Sequence, residues 1–152
     1  MGPARGMGLK TRGKRMEQTE SKLTESELSN FIGTERYHKL SAFGSVIFTD
    51  GMAHVAERAG AYWLMQEISV HVGRLAQQHP DERMFFGELT LHADRSATLT
   101  FTDGDKGEGP VTYLTQKIPF TDFPLERFRW YVQYGSISQT QVAWVAMLPA
   151  EY

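Results

Sequence analysis

The chain has no cysteine among its 152 residues. Disulfide scaffolds, cysteine-ligated zinc and thiol nucleophiles are thereby excluded, and a reducing compartment is the matching expectation. Long apolar runs are also missing, and none approaches the ~20 residues a membrane-spanning helix needs. The first 30 residues hold no apolar stretch of the kind a secretory signal carries. A cytoplasmic protein without a membrane partner is expected. No glycine-rich phosphate loop, nucleophile elbow or dinucleotide fingerprint occurs. No cofactor is implied, and no motif points to an enzyme.

What is present is an ordinary globular composition, 41% hydrophobic and 22% charged. The length favours one domain. Charge is unevenly spread. Arg5, Lys10, Arg12, Lys14 and Arg15 crowd a glycine-rich start with no acid among them. Residues 31–152 carry 10 Lys/Arg against 14 Asp/Glu, 10 − 14 = −4. Residues 1–22 are expected to be a flexible basic and polar tail, and residues 23–152 the folded domain. Met7 and Met16 offer alternative starts.

Periodicity gives the elements. Thr24 and Glu27 form a capping-box pattern ahead of a short helix. "SVIFT" reads as a strand. Thr49 or Asp50 then caps a long helix from about Met52 to Ala76. Glu57 and His71 fall in line with its apolar stripe, Leu64, Ile68 and Leu75. Gly60 interrupts it and suggests a close backbone approach. Three alternating runs follow, "RMFFGELTLHA", "SATLTFT" and "VTYLTQKI", and read as an antiparallel meander. "TDFPLERFRWYVQYG" reads as a second helix, capped by Thr121 or Asp122 with Pro124 in its first turn. "QVAWVAML" is the last strand. The expected class is α+β, with a long central helix and shorter helices packed on a mainly antiparallel sheet.

Candidate chemistry is thin. Glu57 and His71 lie 14 positions apart, ~21 Å along one helix, and cannot share a metal or a substrate atom. Glu57 near the helix start and His71 near its end suit the helix dipole. His38, His79 and His92 are scattered and show no ligand spacing. Asp103, Asp105 and Glu108 resemble a calcium loop but miss the EF-hand register, so no metal site is assigned. A hairpin tip accounts for them equally well. On the second helix, Trp130 points away from the face of Leu125, Phe128 and Val132: it either packs under the last strand or the N-terminal segment, or stands exposed beside Arg127 and Arg129 as a contact residue or a base-stacking platform.

The blocks "FIGTERYHK", "FTDGMAHVAERAGAYWLMQEI", "TDFPLERFRWYV" and "LPAEY" resemble a family of small bacterial proteins of unknown function. That family is often carried on plasmids and phages. The resemblance spans about residues 30–152 and brings no catalytic set with it. It implies an accessory gene of a mobile element, and such genes often encode binders that block host defence.

The leading expectation is therefore a non-enzymatic protein that binds a protein partner, such as a CRISPR-Cas defence complex, through Asp103, Asp105, Glu108 and Trp130. The alternative is a nucleic-acid binder that uses Arg5, Lys10, Arg12, Lys14, Arg15, Arg127 and Arg129. A third reading is a metal-dependent or hydrolytic enzyme built on His54, Glu57 or His71. A homodimer is compatible with all three.

Overall fold

The structure, a computed structural model, describes residues 23–31, 33–42 and 44–152. The basic residues Arg5, Lys10, Arg12, Lys14 and Arg15 lie outside them. In chain order the elements are α1 (Glu25–Leu28), β1 (Val46–Phe48), α2 (Asp50–Arg58), α3 (Tyr62–Gln78), β2 (Met84–Leu91), β3 (Ala97–Thr102), β4 (Thr112–Ile118), β5 (Arg127–Ser136) and β6 (Val142–Met147). A 3-10 turn, Pro149–Glu151, follows. The six strands form one sheet in the order β1-β6-β5-β2-β3-β4. β1 runs parallel to β6, and every other pair is antiparallel. The α+β class holds, and β2-β3-β4 form the expected meander. No helix among the described residues is long and apolar enough to cross a membrane.

Two expectations are overturned. The segment 52–76 is two helices rather than one. Helix α2 ends at Arg58 and α3 starts at Tyr62. Between them Gly60 takes φ +60°, a left-handed conformation that breaks the helix. A Cβ at Gly60 would meet nothing within 4 Å. The glycine therefore serves the bend and not a close approach. The bend aims both apolar stripes at the sheet: Met52, Val55 and Ala56 from α2, and Leu64, Ile68, Val72 and Leu75 from α3, are all buried.

The second correction concerns "RFRWYVQYGS", which is a central strand and not a helix. Phe128, Trp130 and Val132 alternate inward and are buried, while Arg127 and Arg129 alternate outward and are exposed. The helical reading would put Trp130 off the face that Leu125, Phe128 and Val132 share. As a strand between β2 and β6 the segment buries the Trp130 ring together with Phe128 and Val132, the latter two worth ~1.5–3 kcal/mol each. Propensity agrees, since aromatic and β-branched residues suit a half-buried pleat. Gly87 stands opposite Trp130 in the ladder. A Cβ at Gly87 would sit 2.2 Å from the indole ring. Phe101 and Phe128 pack around the same ring, at centroid distances of 5.8 and 5.5 Å.

Candidate functional site

Three distant segments converge on the N-terminus of α2. Thr49 caps the helix and donates from Oγ1 to Glu151 Oε1 at 2.5 Å. The Gly51 and Leu148 amides donate to the same carboxylate at 3.0 and 2.9 Å. Asp50 accepts from the Glu35 amide at 2.9 Å and pairs with His38 Nε2 at 2.8 Å. The Asp50 amide donates to Thr34 Oγ1 at 2.8 Å. Two carboxylates thus face the positive end of α2, where the helix dipole favours them. The His38 hydrogen bond, followed by the Glu35 amide, holds Asp50 below the ordinary carboxylate range. This arrangement fastens the chain together, because each polar atom named here already has a partner.

The other polar clusters are also fastenings. Glu27 completes the α1 capping box and pairs with His54 and Arg58 on α2, each at 2.7 Å. The His54 hydrogen bond comes first among the causes that lower its pKa. Glu82 accepts from Lys106 Nζ at 2.7 Å and from Tyr113 Oη at 2.5 Å. That bond, with burial second, pushes Tyr113 up to about 12. His79 stacks on Tyr113 at 4.1 Å. His71 Nε2 meets Gln116 Oε1, with Glu67 Oε1 at 3.3 Å. Glu57 is exposed and lies in the last turn of α2, so the expected favourable place near a helix start is not the one it occupies. Among the described residues no three His, Asp or Glu side chains could hold one metal ion.

The β3–β4 loop turns Asp103 inward. Its Oδ1 accepts the Asp105 and Val111 amides at 3.0 and 2.9 Å. Asp103 is only 8% exposed. Asp105 sits at φ +80° and accepts the Gly107 and Gly109 amides at 2.8 and 3.0 Å. Of the four expected protein contacts, Asp105 and Glu108 remain exposed at the tip. Trp130, at 0% exposure, belongs to the core.

Strand alternation and register define a different surface. The face of the sheet opposite the buried side chains carries three cross-strand rows. Lys117, Thr98, Thr90 and Arg127 form one, and Thr115, Thr100, Glu88 and Arg129 the next. Thr112, Thr102, Phe86 and Tyr131 form the third. All of these side chains are half-buried or exposed. Phe86 and Tyr131 touch edge to face at 5.0 Å, and Tyr152 meets Tyr131 at 5.7 Å. Arg127 Nε donates to Glu88 Oε2 at 2.6 Å, and that bond raises its pKa further. An open trough of about 540 Å³ lies at one end, lined by His92, Ser96, Thr98, Thr115 and Lys117 among others. His92 Nε2 lies 2.8 Å from Thr98 Oγ1 there. Glu88 is the one acid among three cations in these rows. Periodicity alone missed this surface, because its rows cross four strands and exist only once the register is known.

Residues 22–152 match a family of unknown function, DUF6876. The chain belongs to that family. The matched span opens at the edge of the buried core, one residue before Leu23. In this DUF6876 chain the same span carries the whole sheet and every residue of the open face. No curated protein and no solved structure matches it.

Proposed function

We propose that this DUF6876 protein binds single-stranded nucleic acid on the open face of its sheet, with no catalytic step. The observation that carries the reading is the row order. The Phe86–Tyr131 pair lies beside Arg129, with Arg127, Lys117 and a field of threonine hydroxyls next to it. Aromatic rings on a sheet surface stack bases without regard to sequence. Flanking cations neutralise phosphates, and hydroxyls serve sugar and phosphate oxygens. The stacking role expected of Trp130 passes to Tyr131, with Phe86 held beneath the Gly104 backbone as its edge-to-face support, while Arg127 and Arg129 keep theirs. The basic residues 5–15 would add phosphate contacts.

Fluorescence anisotropy with labelled oligonucleotides tests this. Single strands should bind more tightly than duplex. Each of R127A and R129A should lower the salt slope by ~0.7. Y131A should weaken binding by ~1–3 kcal/mol. No binding at low salt, or variants indistinguishable from wild type, would sink the reading.

A second reading, an accessory protein of a mobile element that blocks a host defence complex, rests on the exposed tip carrying Asp105 and Glu108. There the acids would mimic nucleic acid in a basic groove of the target. A D105N/E108Q variant that inhibits a purified CRISPR-Cas effector as well as wild type does, or a wild type that does not inhibit, counts against it.

A further inference from the structure

The two edges of the sheet are treated differently. At the β1 edge, His38 closes the ladder: its amide donates to Phe48 O at 2.7 Å, and the Phe48 amide donates to His38 O at 2.8 Å. At the other edge, β4 has β3 on one side and no strand on the other among the described residues. An open edge presents alternating unpaired amides and carbonyls, a template for another strand. Edges are usually guarded by charges, lysine above all, by proline, by bulges or by a covering segment. Here Lys117 is the only charged residue between Thr112 and Ile118. Pro110 and Pro119 stand just outside the strand and limit how far a pairing could run. Two large apolar side chains flank it in water, Val111 at 53% and Phe120 at 70% exposure.

We infer that β4 is the seam of a homodimer, two copies pairing antiparallel about Gln116 to make one continuous sheet. The strand itself picks the occupant. Tyr113 is the extra residue of a bulge, where the β3–β4 register shifts between Phe101 and Thr102. The regular stretch is therefore Leu114–Ile118, whose midpoint is Gln116. A two-fold axis there sets Leu114 against Ile118 on the covered side and Thr115 against Lys117 on the open side, each twice. The two lysines never face each other, so no like charges meet. Val111 and Phe120 lie just outside the paired stretch, one at each end of it. Among the described residues each copy has one such edge, so the assembly closes at two and does not grow into a fibre. The pairing joins the two open faces, with Lys117 and Thr115 of both copies at the centre. A seam this small predicts a weak, concentration-dependent dimer.

Sedimentation equilibrium over a concentration series, without nucleic acid, tests the seam separately from the binding reading. Wild type should dimerise. Thr115→Lys sets lysine against lysine at two places and should weaken the dimer about tenfold. Thr115→Glu sets glutamate against lysine and should tighten it. Thr115 is exposed, so both variants should keep the wild-type circular dichroism spectrum. A wild type that stays monomeric throughout, or a dimer that neither Thr115 charge change moves, overturns the inference.

Discussion

Gly51 shows how a single residue type can be forced by a contact 100 positions away. A Cβ there would stand 2.6 Å from Leu148 Cδ1 and 2.7 Å from Glu151 Oε1. Gly51→Ala should therefore push the Glu151 carboxylate off the start of α2. The expected loss is ~1–3 kcal/mol by chemical denaturation. Glu151→Ala should cost a similar amount, since it leaves Thr49, Gly51 and Leu148 without their shared acceptor. The two together should cost less than their sum, because each disrupts the same contact. An additive pair would show that Gly51 matters for another reason. Tyr113 offers a second test at this scale. Its phenol should ionise near pH 12, well above an ordinary tyrosine. A Glu82→Gln variant should bring it back toward the ordinary value, read as the ultraviolet difference from Tyr113→Phe. The sign follows from the raised pKa: the folded state favours the neutral phenol. That contribution is intact below the ordinary tyrosine pKa and is lost as pH rises toward about 12.

Among the elements, the α2–α3 bend is the point at which local chemistry governs global shape. A straight helix over the same residues could not lay Met52 and Leu75 on one twisted sheet. Gly60→Ala should cost ~1–2 kcal/mol through the left-handed φ alone. Gly60→Asn should cost less, because asparagine tolerates that region better. Equal losses for both variants in urea melts would mean that volume, and not conformation, sets the cost. The bend was written in the sequence as a glycine between two apolar stripes, yet a helix with one internal glycine reads the same way. The strand β5 was harder still. Thr121, Asp122 and Pro124 imitate a helix start, and Leu125, Phe128 and Val132 fit a helical stripe. The competing period-2 set, Phe128, Trp130 and Val132, wins because β2 and β6 supply partners on both sides. Those partners lie on other stretches of chain.

For the whole molecule, acid is the discriminating condition. Hydrogen bonds to His54, His38 and Lys106 come first among the causes that depress Glu27, Asp50 and Glu82 respectively. Backbone amides depress Asp103. A depressed carboxylate contributes stability that is complete above its ordinary pKa and is lost as pH falls through its folded value. Stability should thus hold down to about pH 5 and decline below ~4. The Glu27→Gln/Glu82→Gln double variant should be less stable at neutral pH and show a shallower acid slope. Parallel pH profiles for wild type and variant would remove these two carboxylates from the acid transition. Glu27 ties α1 to α2, and Glu82 ties the start of β2 to the β3–β4 hairpin. Their protonation should therefore loosen two separate parts of the fold, the α1–α2 junction and the β3–β4 hairpin.

The sequence by itself determined the α+β class, the capping box of α1, the Thr49 cap and the meander. Each of those is a local signal, carried by residues within a turn or a strand of one another. It also held Arg127 and Arg129 as candidates, since two arginines around an aromatic are conspicuous at any scale. Only the tertiary structure decided which aromatics stand with them. Pairing β5 with β2 turns Trp130 inward over Gly87 and brings Phe86 beside Tyr131. The strand order leaves β4 at an edge that is open among the described residues, and the His38–Phe48 bridge covers β1. Register is a relation between strands distant in the chain, so it becomes visible only when the sheet is assembled.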